Sequence, residues 1–265
     1  MIEKPTDGPL KALIEHATLI LELGSSALDS CIRKQKKVRS NYRIVLSAYA
    51  ARSYELFESI IILIKNDRIT DAGILLRSLV NLLINLAYID YNKEERASVY
   101  LYDIIEQELK RNKKSKNFFE STGKGEQVAR YIKHYEKEKE QLSHKLKEEY
   151  PQAKPWEKIH ISEKANVNQE IQYIYHLLYA DLSRYEHYDF SAAIEYVNPA
   201  SCNPILRISA HSRSPALNHR AILMFSCILF GIVLEFFDRE YQLKMKNRID
   251  EMAKKLNEME QLRSI

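Results

Sequence analysis

The stretch from Ile171 to Asp189, IQYIYHLLYADLSRYEHYD, concentrates the side chains in this sequence best suited to chemistry. Four-residue spacing sets Ile171, Tyr175, Tyr179, Ser183 and His187 along one slowly drifting ridge of an α-helix. His187 carries the side chain that titrates near neutrality and serves as general acid or base. Ser183, one turn earlier, can share a hydrogen bond with it or grip a phosphate, and Arg184 adds a cation beside them. The same residues also fit a plainer arrangement, a core helix whose last His donates to a carbonyl, and the sequence leaves both open. A second candidate is Arg77, which interrupts the apolar run DAGILLRSLVNLLINLAYIDY. A guanidinium inside a buried helix loses hydration that only a polar or anionic partner replaces. Glu55 and Glu58, on the preceding helix with Arg52, are the expected orienting partners. A structural ion pair and a grip on an anion both fit.

These residues need a scaffold, and composition points to a helical one. The chain has 265 residues, 45% hydrophobic and 29% charged, enough for one large core. Six Gly and seven Pro leave few helix breaks, which favours an all-α protein over a many-turned β fold. One domain over residues 1–265 is expected, a bundle of about seven helices.

The net charge of +4 is too weak to signal nucleic acid unless it is concentrated. Two clusters qualify: Arg33, Lys34, Lys36, Lys37, Arg39 and Arg43, and Lys110, Arg111, Lys113, Lys114 and Lys116. Both also read as solvated helix ends. Cys31, Cys202 and Cys227 are widely spaced and odd in number, so neither a disulfide framework nor a zinc site is signalled, and a reducing cytoplasm is expected. No metal motif such as H-E-x-x-H occurs, so no metal and no cofactor are expected. Met1 to Pro9 is polar and reads as no secretory signal. The run Ala221 to Leu234, at about fourteen residues, falls short of the roughly twenty that span a bilayer and reads as a buried helix rather than a membrane segment.

Helical periodicity predicts elements over about Leu10–Arg33, Asn41–Lys65, Thr70–Tyr91 and Lys93–Lys110. The third is apolar all round and should lie centrally. Gly123 and Gly125 predict a loop over NKKSKNFFESTGKG, and Glu126–Tyr150 then carries only a thin apolar seam. Residues 110–150 therefore read as a projecting charged hairpin, with 126–150 offering a surface for a partner protein. Pro151 ends that helix, Pro155 and Trp156 lead into the next, and the ridge helix should begin near Asn166. Two β-rich runs, AIEYV and ILRIS, suggest a small β-hairpin within 190–212. A last helix is expected from Pro215 to Glu260 without a break.

Arg52 and Glu58, then Asp71-Ala72 leading into Leu76-Arg77-Ser78-Leu79, and later Trp156, Ala165, Tyr175, Tyr179, Leu182-Ser183 and His187 resemble a bacterial helical family of unknown function, DUF5677. The resemblance covers about Tyr42–Tyr91 and Trp156–Phe190. It implies a helical fold and carries Arg77 and His187 over as site candidates. The family pattern has Glu four residues after its Arg, whereas Asn81 stands here, so no acid role carries over to that position. Such families look like relatives of HEPN helical domains, many of them metal-independent ribonucleases of defence and toxin systems, an analogy of fold alone. The usual HEPN spacing of His five to seven residues after Arg is absent between Arg184 and His187. It occurs between Arg213 and His219, with Pro215 inside it.

Two functions are expected to compete. In the first the chain is an RNA-directed enzyme of defence or stress response: His187 is the acid or base, Arg77 or Arg184 stabilises phosphorane charge, and Ser183, Tyr179, Tyr175 and Arg52 hold substrate. In the second it is a non-catalytic module whose tyrosines line a pocket for a small ligand or a partner protein. Self-association as a homo-oligomer is expected with either.

Overall fold

The computed structural model describes residues 8–34, 40–179, 182 and 218–261. Among them there are nine α-helices and no strand: α1 (Gly8–Lys34), α2 (Asn41–Lys65), α3 (Ile69–Tyr91), α4 (Lys93–Ser121), α5 (Gly125–Glu149), α6 (Ile161–Ala165), α7 (Gln169–Ile174), α8 (His219–Tyr241) and α9 (Lys246–Gln261). With α6 and α7 only five and six residues long, the number of helices is roughly the seven expected, although the ridge helix is short and the last helix is divided. The segment expected to form a β-hairpin lies outside the described residues, as do Cys202 and most of the first basic cluster.

The core is built where α1, α2, α3 and α8 pack together. In α3 the apolar residues run round the whole helix, and Leu76, Leu79, Leu83, Ile84 and Leu86 are fully buried. At the junction of α1, α2 and α8, Phe230 stacks on Phe57 with centroids 4.8 Å apart and meets Tyr54 edge-on at 6.4 Å. Gly24 permits that approach, since a Cβ there would stand 2.6 Å from Phe230 Cζ.

By length and composition α3 and α8 could each cross a membrane, with mean hydropathies of 1.7 and 2.1 over their most apolar windows. In this fold 72% and 50% of those windows are buried inside the bundle. The apolar run of α8 is thus longer than its strictly uncharged part suggested.

A polar clamp closes one end of the bundle. Ser40 caps α2 by accepting from the Arg43 amide at 3.3 Å, while Glu94 of α4 accepts from the Asn41 amide at 3.2 Å. The buried Tyr42 hydroxyl donates to Asp90 at 2.5 Å, and Arg239 holds the other oxygen of that carboxylate at 2.6 Å. Glu240 of α8 receives Arg43 at 2.7 Å and Lys93 at 2.8 Å, joining the first turns of α2 and α4. Burial alone would raise the Glu240 carboxyl above its ordinary 4.5, but the bonds from Lys93 and Arg43 outweigh it and hold it lower.

This makes the clamp acid-sensitive. A folded carboxyl that gives up its proton more readily than the unfolded one stabilises the fold fully above the unfolded value of 4.5, and the contribution is lost as pH falls through the lower folded value. Glu240→Gln should therefore lower stability by about 1–2 kcal/mol at neutral pH. Its deficit against the parent should shrink in melts taken below the ordinary carboxyl range. A deficit unchanged by acid would show that charge is not what Glu240 contributes.

Three elements depart from the periodicity. Helix α4 runs through the expected loop to Ser121, because nothing in KRNKKSKNFFES breaks it before Gly123, the residue that takes the turn at φ +75°. The α4–α5 hairpin is accordingly all helix, with Lys113 and Glu136 paired across it at 2.7 Å and Lys139 on Glu106 at 3.0 Å. Lys110, Arg111 and Lys116 pair with acids on their own helix, so the second basic cluster is a solvated helical face.

The last helix is two. Gln242 (φ 50°) and Lys244 (φ 61°) adopt left-handed backbone, and Asp238 accepts the Met245 amide at 2.9 Å. A straight continuation would carry Ile249 and Leu256 past the bundle; folding back buries them. His16 of α1 fastens the return by bonding the Met252 carbonyl at 2.9 Å. The ridge helix, third, starts at Gln169 rather than near Asn166: Asn168 caps it by accepting from Ile171 at 2.7 Å.

Candidate functional site

After α7 the chain widens into a π-helical turn over Tyr175–Tyr179. Such widened turns interrupt regular helices chiefly where side chains must be re-aimed. Here the turn brings Tyr175 and Tyr179 into a stack with centroids 5.0 Å apart and planes at 25°. It also sets Tyr179 against α3, where the Arg77 guanidinium carbon lies 5.1 Å from the ring centroid and Nη2 donates to the phenol oxygen at 3.5 Å. Arg77 is 5% exposed, the buried arginine among the described residues. A planar cation against an aromatic face keeps some of the stabilisation it loses with water.

The structure therefore joins three predicted residues, Arg77, Tyr175 and Tyr179, and separates others. Arg52 and Glu55 pair with each other at 2.9 Å on the exposed side of α2, with side-chain exposures of 61% and 64%. Glu58 is likewise exposed. The expected partnership of Arg77 with Glu55 or Glu58 is thus corrected: both carboxylates keep their hydration on the outer face, and among the described residues Tyr179 supplies the hydroxyl and ring that seat the guanidinium. Ser183, Arg184 and His187 lie outside the described residues. So does Arg213, while His219 stands at the first turn of α8 with Nε2 2.7 Å from Asp67, in the α2–α3 turn. That gives His219 a structural task of its own.

A second polar centre escaped the sequence reading. Lys164 of α6 is 7% exposed and holds its ammonium 3.6 Å from the centroid of the Trp156 ring, which Tyr88 and Tyr100 meet edge-on at 5.7 and 4.8 Å. Burial lowers the Lys164 amine to about 8, against the pull of Asp103 and Glu163. Asp103 of α4 is 9% exposed and is raised by burial first and then by the charge of Glu157. Two charged residues buried this close to one another were hidden in sequence because ISEKA reads as a surface turn. Only the aromatic cover over it, contributed by distant helices, removes it from water.

Among the described residues no three His, Cys, Asp or Glu side chains gather as a metal would require. Cys31 and Cys227 are free thiols, and burial pushes the Cys227 thiol up.

The pattern of a family of unknown function, DUF5677, matches residues 43–203. The chain belongs to that family. The matched DUF5677 stretch takes in nearly all of α2, the whole of α3 to α7 and both polar centres, with Arg77 and Tyr179 inside it. No curated protein and no solved structure matches the chain.

Proposed function

We propose that this member of DUF5677 is an RNA-directed, metal-independent nuclease of HEPN type, acting in the cytoplasm in a defence or stress response. The observation that carries this reading is the bond from the buried Arg77 to Tyr179, just ahead of Ser183, Arg184 and His187 in sequence. A hydroxyl whose oxygen accepts from a guanidinium is a stronger donor through its own hydrogen, because hydrogen bonds in a chain polarise one another. Tyr179 would then offer that hydrogen to a phosphate oxygen, with Arg77 as the positioning residue behind it rather than a direct ligand. Ser183 and Arg184 would hold the same phosphate, and His187 would move the proton between ribose hydroxyl and leaving oxygen. Self-association belongs to the same reading and is supported by the apolar groove of about 530 Å³ between α7 and α8, where Tyr173, Leu177 and Ile228 are exposed.

The burial of Arg77 favours a second reading, a non-catalytic helical module for a partner protein or a small ligand. One variant separates the two. In the nuclease, His187→Ala should cut cleavage of a single-stranded RNA by at least about 100-fold, the usual weight of a general acid or base, with an unchanged melting midpoint. In the module, the parent protein cleaves nothing and the same change lowers stability by about 1–3 kcal/mol through an unpaired buried group. The second result ends the enzymatic reading.

A further inference from the structure

Between α4, α5 and the segment 150–157 lies a cleft of about 310 Å³ that no role assigned above uses. That volume sits at the lower edge of small-ligand sites, which start at about 300 Å³. Its walls divide by chemistry. Val99, Leu146, Ala153 and the rings of Pro151 and Pro155 are apolar, while Tyr102, Tyr150 and Trp156 add aromatic surface. Against these stand the carboxylates of Asp103, Glu106 and Glu157, with Lys147 exposed at the rim.

Asp103 decides what the cleft suits. It is nine-tenths buried, yet it lines the cavity, and only one of its oxygens is engaged: Oδ2 accepts from Gln107 at 2.8 Å. Oδ1 accepts no hydrogen bond among the described residues. Lys164, whose charge acts on Asp103, rests on the indole ring, and among the described residues it makes no hydrogen bond or ion pair to that carboxylate. Glu106 is already neutralised by Lys139 at 3.0 Å, but Glu157 is exposed and adds its charge to that of Asp103. A largely buried carboxylate that keeps one oxygen open to an apolar cavity, with another acid in the same lining, is complementary to a positive donor on an apolar stem. An anion would meet repulsion there, and a neutral apolar molecule would leave Oδ1 unanswered.

We infer that this cleft binds a small aliphatic amine in its ammonium form, the charged head bonded to Asp103 Oδ1 and the methylene stem laid against Val99, Leu146 and the prolines. The inference is independent of the RNA reading, since neither Arg77 nor Tyr179 lines the cleft.

Trp156, the single tryptophan of the chain, is part of the wall, so its emission reports occupancy directly. The full-length protein is titrated with 1,5-diaminopentane while tryptophan emission and heat of binding are followed. A saturable change is expected, and Asp103→Asn, which keeps the shape and the Gln107 contact, should weaken binding by at least about tenfold, or 1.4 kcal/mol. A cooperative melt of the unliganded variant shows that it stays folded, and its midpoint need not equal the parent's, since Asp103 also faces the charge of Lys164. Pentan-1-ol, with the stem but no charge, should give no saturable signal on the parent, a test that needs no variant at all. The inference is overturned if the diamine produces no saturable change up to about 10 mM, a limit of roughly 2.7 kcal/mol of binding. It is equally overturned if pentan-1-ol binds as well as the diamine, or if Asp103→Asn binds it undiminished.

Discussion

Replacing Phe230 by alanine should lower the free energy of unfolding by about 3–5 kcal/mol, the range for deleting a buried aromatic ring. Phe230 is 1% exposed and is held from three sides: Phe57 stacks on one face, Tyr54 approaches its edge, and the α1 backbone closes on it at Gly24. The cavity cannot collapse cheaply. Gly24 has no side chain to advance, and Phe57 is itself fully buried and committed to its neighbours. Phe230→Leu, which refills most of the volume, should cost distinctly less, about 1–2 kcal/mol. Urea-induced unfolding of the three proteins measures both. If Phe230→Ala costs under about 1 kcal/mol, the α1–α2–α8 junction is not the tightly packed centre described here.

Arg77→Ala should destabilise by about 3 kcal/mol, because truncation removes a long buried stem and its bond to the Tyr179 hydroxyl. Arg77→Met separates these two contributions. It keeps most of the volume and carries no charge, so it should recover more than half of the loss, as buried ionic groups replaced by apolar ones of similar size commonly do. Tyr179→Phe keeps the ring under the guanidinium and removes the hydroxyl with its 3.5 Å bond, so it should cost about 1 kcal/mol. Under the nuclease reading, both Arg77→Met and Tyr179→Phe depress cleavage far more than they depress stability. Thermal melts and cleavage rates on the same samples give that comparison. Cleavage falling only in step with melting would assign Arg77 to structure alone.

Local chemistry was legible where local chemistry decides. The bounds of α2 follow from the Ser40 cap and the Asn66-Asp67 turn, Asp67 taking φ 59°, and an all-round apolar α3 reads as a central helix. The α8–α9 break was not legible, since no Gly or Pro marks it. It is imposed by the Asp238 carboxylate and by the burial of Ile249 and Leu256 against helices far away in sequence. The four-residue ridge correctly grouped Tyr175 with Tyr179, but nothing in its spacing says that it turns toward α3, or that a π-helical turn aims Tyr179 at a residue 102 positions earlier. Lys164 and Asp103 were missed for a related reason. Charged residues in polar surroundings read as surface, and their burial is a property of the assembled aromatic cover.

The position of Phe230 bears on how the molecule can be cut. The family match begins at residue 43 and ends at 203, so α1, α8 and α9 fall outside it. Yet α1 and α8 supply Leu13, Leu23, Phe230 and Phe237 to the shared core, α1 covering a face of α2 and α8 faces of α2 and α3, while α9 packs behind them on α1 and α8. An excised fragment limited to the recognisable stretch would therefore carry the sequence signature and both polar centres on helices stripped of that cover. The signature marks kinship, while cooperative folding belongs to a larger piece of the polypeptide.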